Sequence, residues 1–326
     1  MAAGAEVVGE VAPLHPHGPP DMLRRRPFRA MGCDMLAVSA GPDDQAAPEL
    51  ELVPGWFEDW EQALSRFRLD SELSRLNRTV DQHVPVSRTL WEVYQAALWA
   101  DRFTGGLVRP TVGGAVIHAG YDQSFDLLSR HQAAGAALLD PVLDPFLVIV
   151  ADEQSRTICL PPGVQLDFGG VAKGWAADQA TKRLAPLGPA LMDAGGDIAI
   201  SGCLPGGELW EVAVEDPSHP GQDLLSLHLP GCGVATSGKN RRNWTQNGLL
   251  RHHIIDPRTG LSAESDVVTA TVVAPTVLEA EAAAKALLIL GSEAGMAWLE
   301  AHSFLAGLLI LEDGKAICNP QMQEYL

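Results

Sequence analysis

Residues 166–178 read LDFGGVAKGWAAD, and this stretch predicts the local fold around a ligand. An apolar run ends in Asp167, two glycines follow, and a helical pattern begins with Lys173 in its first turn. Glycines let a ligand approach the backbone, and the free N–H groups of a helix N-terminus favour an anion such as phosphate. The pattern matches neither common Gly-rich nucleotide motif. Taken alone, it predicts a strand, a tight turn and a helix, and an ordinary Gly-Gly turn is an equally good interpretation.

The composition is that of a globular protein with an acidic surface. The chain has 326 residues, of which 46% are hydrophobic and 20% are charged, and its formal net charge is −18. Such a charge repels nucleic acids and anionic membranes, so we expect neither as a partner. An anionic ligand would need local positive charge, which gives weight to the few lysines and arginines that lie inside motifs.

The N-terminal residues and the cysteines indicate where the protein acts. Residues 1–23 are rich in Ala, Gly, Pro and His and lack periodicity, so we expect a disordered tail over residues 1–27, followed by a single domain over residues 28–326. No sufficient apolar segment follows the basic residues 24–26 or precedes Gly32-Cys33, so we expect neither an export signal nor a lipoprotein site. The five cysteines form no CxxC pair, and no run reaches the ~18 apolar residues of a membrane span. A cytoplasmic protein is therefore predicted.

Helical and strand patterns alternate in groups along the chain. Helical segments lie between runs of consecutive strands, which favours an α+β fold with mostly antiparallel or mixed sheets and covering helices over a doubly wound one. Three of the predicted strands adjoin motif residues, namely residues 28–39, 164–167 and 251–255. A strand over the last of these ranges would point the rings of His252 and His253 to opposite faces, so one of the two is expected to be structural or solvated.

Four further motifs occur in a fixed order with the first one. They read AMGC at residues 30–33, SRF at 65–67 with SELSRLN at 71–77, DAGGDI at 193–198, and ATSG at 235–238 with HIIDPRTG at 253–260. Together the five motifs resemble the ApbE family, the FAD:protein FMN transferases, from about Arg29 to the end of the chain. The resemblance implies an ApbE-like fold. It also implies an enzyme that transfers FMN from FAD to a Ser or Thr hydroxyl of an acceptor flavoprotein, forming a phosphoester and releasing AMP.

The resemblance implies roles for single residues as well. His253 would help to deprotonate the acceptor hydroxyl, for which the pKa of an imidazole is suited. At Arg109 the family usually has an acid. The positions implied to contact the flavin nucleotide are Met31, Phe67, Leu107, Val108, Arg109, Asp167, Lys173, Ile255 and Lys285.

The helix predicted over residues 278–290 departs from the family pattern. The resemblance implies a Mg²⁺ site formed by an Asp, a Thr one turn later and a backbone carbonyl, and these positions are Glu281, Lys285 and Gly170 here. A carboxylate suits Mg²⁺, but a lysine ammonium cannot be a ligand. The i,i+4 spacing alone predicts an exposed Glu–Lys pair. With the resemblance, we expect Lys285 to replace the metal, paired with Glu281 and facing the diphosphate.

This substitution argues against dependence on Mg²⁺, although Gly170 and Glu281 stay the candidate ligands for that ion. It also leaves a second hypothesis open, in which the protein binds FAD without transferring FMN and serves flavin storage or slow FAD hydrolysis. Restoring the Asp and the Thr is the change that would separate the metal-dependent case from the metal-free one.

Overall fold

The computed structural model describes residues 23–40, 43–128, 149–246 and 248–326. Within these residues the α-helices are α1 Asp43–Leu64, α2 Glu72–Asn77, α3 Arg88–Phe103, α4 Gly113–His118, α5 Phe125–Leu128, α6 Ala172–Leu184, α7 Val277–Leu290 and α8 Ser292–Glu300. Short 3₁₀ helices cover Pro110–Val112, Ala185–Leu187 and Pro320–Glu324.

The strands of the same residues form one large sheet and several small ones. They are β1 Arg24–Ala30, β2 Cys33–Ser39, β3 Val84–Pro85, β4 Val150–Asp152, β5 Thr157–Cys159, β6 Ala190–Ala194, β7 Asp197–Ser201, β8 Trp210–Glu215, β9 Asp223–Leu229, β10 Gly233–Gly238, β11 Asn243–Gln246, β12 Leu249–His252, β13 Ile255–Asp256, β14 Leu261–Ser262, β15 Val267–Ala274, β16 Ala306–Leu311 and β17 Ala316–Cys318.

The large sheet has eight strands in the order β1-β2-β6-β7-β10-β15-β16-β17. Each neighbouring pair is antiparallel. Helices α1, α6 and α7 pack on one face of it, and the β8–β9 hairpin covers the other. Alternation along β6 shows the two faces, because Met192 joins the helical core and Leu191 joins the core under the hairpin. The predicted α+β class with antiparallel sheets and covering helices is confirmed.

The prediction of one strand over residues 28–39 is wrong, because this stretch contains the end of β1, a turn and the whole of β2, which together belong to a hairpin. Strand β1 begins at Arg24, within the range predicted to be a tail, and residues 1–22 lie outside the described part of the chain. The chain reverses at Met31 and Gly32, whose φ angles are 50° and 69°. Such positive φ values are typical of the two-residue turns that join antiparallel strands. A methionine rarely adopts them, so the sequence offered little sign of this turn.

The segment before the glycine turn is also not a strand, contrary to the prediction for residues 164–167. Its backbone bonds to other groups. The Leu166 N–H donates to Asn77 Oδ1 at 2.8 Å, and Asn77 Nδ2 donates to the Leu166 carbonyl at 2.8 Å. The Asp167 N–H donates to the Pro110 carbonyl at 2.8 Å. A side-chain amide therefore replaces the neighbouring strand, and this explains why the second motif ends in an asparagine.

The strand predicted over residues 251–255 ends early, since β12 stops at His252 and β13 is a separate two-residue strand. The ring of His252 stays buried, with its Nε2 2.9 Å from the Ala263 carbonyl. The backbone turns at the next residue, and His253 faces a cleft instead of a sheet. Of the two histidines, His252 is the structural one.

Helices α6 and α7 cap each other through two carboxylates. Asp178 of α6 accepts hydrogen bonds from the N–H groups of Val277 and Leu278, each at 3.1 Å. Glu281 of α7 accepts one from the Gly174 N–H at 2.9 Å. These donors belong to the first turns of the helices and would otherwise lack intrahelical partners. A Cβ on Gly174 would lie 2.7 Å from Glu281 Oε2, so only glycine permits the contact.

No helix in the described residues is long and apolar enough to cross a membrane.

We expect Asp178→Ala to lower the free energy of unfolding by about 1–3 kcal/mol, because two buried N–H groups of α7 lose their acceptor. Chemical denaturation followed by circular dichroism measures this change. Asp59→Ala is the matched control, because Asp59 is exposed on α1 and its loss should change stability by less than about 0.5 kcal/mol. Equal midpoints for the two variants would contradict the capping role.

Candidate active site

A cleft with about 430 Å³ of space opens at the N-terminus of α6. Its other walls come from the β1–β2 turn, the loops that follow α1 and α3, the residues after β12, and one side of α7. Every residue predicted to contact the flavin nucleotide lines this cleft, and so do His253 and Gly170. Glu281 lies behind the lining and is fully buried. The structure therefore gathers residues that are spread over more than two hundred positions of the chain.

One wall of the cleft is aromatic and carries a guanidinium. The rings of Phe67 and Tyr121 lie 5.4 Å apart between centroids, and Tyr121 lies 5.3 Å from Trp244. The Arg66 guanidinium sits 4.0 Å from the centroid of Phe67 and 4.6 Å from that of Tyr121. Such planar groups offer a stacking surface to a flat ring.

Asp167 holds Arg66 and the glycine turn in place. Its Oδ2 lies 2.7 Å from Arg66 Nε, and both side chains are only 11% exposed. Its Oδ1 accepts a hydrogen bond from the Gly169 N–H at 2.6 Å. Arg66 Nη1 donates to the Tyr121 carbonyl at 2.6 Å, while the buried Arg66 Nη2 has no partner among the described residues. Arg66 is thus a site residue that the sequence analysis did not select, although its place in the SRF motif marked it.

Each of the two lysines in the cleft is paired with a buried carboxylate. Lys173 contacts Asp197, and Lys285 Nζ lies 2.9 Å from Glu281 Oε1. Burial opposes the charge on Lys173, but the carboxylates of Asp197 and Glu281 outweigh it and raise the pKa above its ordinary value. Burial likewise opposes the charge on Glu281, yet the ammonium groups of Lys285 and Lys173 keep its pKa below the ordinary value. Lys173 and Glu281 are therefore charged at neutral pH.

The Glu281–Lys285 pair is not the exposed pair that the i,i+4 spacing alone predicts. Glu281 is completely buried, and only 14% of the Lys285 side chain is exposed. The reason is the position of α7, which is buried on nearly all sides between α6 and the large sheet.

The donor set around this pair does not fit Mg²⁺. One oxygen of Glu281 receives the Lys285 ammonium and the other receives the Gly174 N–H. The residue one turn later offers an ammonium, which has no lone pair. Over the described ranges of the chain, no group of three or more His, Cys, Asp or Glu side chains is placed to hold a metal ion.

His253 is a titratable group of the cleft whose environment disfavours its charged form. Its Nδ1 is buried and has no hydrogen-bond partner within the described part of the chain. Burial lowers the pKa of His253 well below 6.5, and the nearby charges of Arg242 and Lys285 lower it further. The imidazole is therefore neutral at pH 7, the form that can accept a proton.

Two arginines at the rim complete the cleft. Arg242 donates to the Cys33 Sγ at 2.7 Å and adopts a positive φ of 46°. It lies four residues beyond the ATSG motif, and no pattern in the sequence marked it. Arg109, which stands where the family usually has an acid, is paired with Asp101 Oδ1 at 3.0 Å. The basic residue is thus accommodated by an acid from α3.

An antiparallel α+β fold with a cationic and aromatic cleft at a helix N-terminus defines a protein suited to an anionic nucleotide. The sequence model of the ApbE family matches residues 36–309, and the chain belongs to this family.

Similar proteins agree with this assignment. The chain is 31% identical over 310 residues to a FAD:protein FMN transferase of Treponema pallidum, with 86% of this chain and 82% of that protein covered. It is 30% identical over 262 residues to one of Vibrio cholerae, with 78% and 77% covered. Among solved structures, the ApbE protein of Thermotoga maritima superposes with a TM-score of 0.80 at 23% identity, covering 93% of this chain and 99% of that one. The flavin transferase ApbE of Vibrio cholerae gives 0.77 at 24% identity, with the same coverage.

We expect the His253 imidazole to stay neutral well below pH 6.5 in the ligand-free protein. Arg242→Met should raise this pKa, because it removes a neighbouring positive charge while the burial stays. A nitrogen-detected NMR titration, with His253→Gln to assign the signal, measures both values.

The lowered pKa of His253 also makes the free energy of unfolding depend on pH. Because the unfolded chain binds this proton more readily, His253 contributes stability that is present above pH 6.5 and is lost as the pH falls through its folded-state pKa. A His253 signal that titrates at its ordinary value in the wild-type protein would contradict this description of the cleft.

Proposed function

We propose that the protein transfers FMN from FAD to a Ser or Thr hydroxyl of an acceptor flavoprotein and releases AMP. The observation that carries the proposal is the convergence of ten predicted residues, His253 among them, on one cleft at the N-terminus of α6. The names of the relatives in Treponema pallidum and Vibrio cholerae support the same activity.

The proposed binding mode follows from the chemistry of the walls. Phe67 and Tyr121 offer faces for a planar ring, and Met31 lies on the β1–β2 turn at the same cleft. Lys173 and Lys285 are charges near the N-terminus of α6, where the helix dipole also favours an anion. We assign the diphosphate to this end and the flavin ring to the aromatic wall. Leu107, Val108 and Ile255 would supply apolar contacts, while Arg109 would face the nucleotide from the rim.

The proposed reaction exchanges one P–O bond for another. The acceptor oxygen forms a bond to the phosphorus of the FMN half, and the bond from that phosphorus to the AMP phosphate breaks. AMP leaves with the electron pair, and the hydroxyl proton passes to His253. Charge that develops on the phosphate oxygens is stabilised by fixed donors, which is the main contribution proteins make to phosphoryl transfer.

Substrate binding would also adjust the base. Apart from burial, positive charges of Arg242, Lys285 and Lys173 contribute to the low pKa of His253 in the free protein. An anionic diphosphate placed among these charges would offset them and raise the pKa toward neutrality. His253 would then become an effective base only when FAD is bound, so that the base and its substrate are present together.

The proposal includes an acceptor protein and a cytoplasmic setting. The acceptor would bring a Ser or Thr hydroxyl to the mouth of the cleft beside His253. All five cysteines are free, which is usual in a reducing compartment.

We expect the wild-type protein to label a protein acceptor covalently when incubated with FAD and the soluble proteins of its source cell. Labelled bands keep their flavin fluorescence on a denaturing gel, and chromatography should find one AMP for each flavin attached. His253→Ala should lose at least about 100-fold of this rate, in line with removal of a general base, while its affinity for FAD changes little.

His228→Ala is the matched control, because His228 is exposed on β9. This strand belongs to the hairpin that covers the face of the large sheet opposite the helices. The His228→Ala variant should transfer FMN at the wild-type rate. Release of AMP together with free FMN, and without a labelled protein, would support FAD hydrolysis instead. Full transfer by His253→Ala would remove this residue from the mechanism.

A further inference from the structure

The Glu281–Lys285 pair is built into the wall of the cleft. Lys285 Nζ lies 2.9 Å from Glu281 Oε1, and the aliphatic part of Lys285 passes 3.8 Å from the position of a Cβ on Gly170. The ammonium therefore stands beside the glycine turn that begins α6. An ammonium has three donors, and one of them is used by Glu281. The others are available to a ligand in the cleft.

The second oxygen of the Glu281 carboxylate also has a fixed partner. Glu281 Oε2 accepts the Gly174 N–H of α6 at 2.9 Å, and the side chain is fully buried. A buried carboxylate that faces an anionic ligand would repel it unless a cation stands between them. Lys285 is that cation. Its position is set by the pair and does not depend on a dissolved ion.

We propose that this chain binds the diphosphate of its dinucleotide without a divalent metal ion, and that the ammonium of Lys285 supplies the positive charge at that point. The inference rests on the proposed function, because it takes FAD as the ligand. It follows from the donor set, because each oxygen of Glu281 already accepts a hydrogen bond and the Lys285 ammonium has no lone pair to offer Mg²⁺.

The charges of the cleft are consistent with this role. Lys173 is held by Asp197 next to the same helix N-terminus, and Arg242 donates to Cys33 nearby. With Lys285, they place three positive groups in the cleft that Gly169 and Gly170 also line. Fixed donors of this kind cost no reorganisation when the ligand binds, which is the advantage of charged side chains over an ion that must be recruited.

The experiment is a titration of FAD into the purified protein by calorimetry, once with EDTA and once with MgCl₂. Wild-type affinity should be the same in the two buffers. Lys285→Met should weaken FAD binding about 10- to 100-fold in both, as expected for the loss of a charged hydrogen bond. Lys182→Met is the matched control, since Lys182 is exposed in the last turn of α6 and lies outside the cleft. It should bind FAD as the wild type does.

Two double variants keep the test decisive. Glu281→Gln with Lys285→Met removes both charges and preserves the packing if the single variant does not fold, and it should still bind FAD about tenfold more weakly. Glu281→Asp with Lys285→Thr introduces oxygen ligands, and FAD binding should then become stronger with MgCl₂ than with EDTA.

The outcomes are distinct. Wild-type affinity that falls about tenfold or more in EDTA would overturn the inference and leave the proposed function intact, since FAD would still be the ligand. Unchanged affinity in both Lys285→Met and the neutral double variant would overturn it as well, because the ammonium would then not face the ligand. Absence of FAD binding in either buffer would overturn the proposed function itself.

Discussion

Two carboxylates, the half-buried Asp178 and the fully buried Glu281, cap each other's helices and fix the geometry on which the cleft depends. Asp178 of α6 holds the first N–H groups of α7, and Glu281 of α7 holds the N–H of Gly174. Because each helix supplies the acceptor for the other, neither can shift along its axis without leaving buried donors unpaired. This fixed contact brings Lys173 and Lys285 to the same end of the cleft, beside the glycine turn.

The electrostatics of the site follow from these helices. The chain carries a net charge of −18, yet its cleft collects lysines and arginines that are paired with acids in the cleft wall or directly behind it. Asp197 and Glu281 orient the two lysines, and their negative charges raise the pKa of Lys173 despite its burial. The positive charges of Arg242, Lys285 and Lys173 also lower the pKa of His253, so in the proposed mechanism the binding of an anion and the strength of the base are coupled through the same few residues.

Sequence patterns predicted the fold class and many residues of the cleft, because the motifs occur in the order of a known family and contain many of the residues that line the cleft. They failed where long-range contacts decide the local structure. The segment before Asp167 is held by the Asn77 side chain instead of a strand, and Met31 adopts a turn conformation that its residue type rarely does. Arg242 reaches the cleft from a loop without a motif. The burial of Glu281 could not be read from its i,i+4 spacing, since it depends on α6 and the sheet around α7.

A crystal structure of the protein with FAD, grown in the presence of MgCl₂, tests the central claim most directly. The account predicts diphosphate oxygens within hydrogen-bond distance of Lys285 Nζ at the N-terminus of α6, with the Glu281–Lys285 pair intact. An octahedral ion between Glu281 and the diphosphate, with Lys285 turned away from it, would contradict the account.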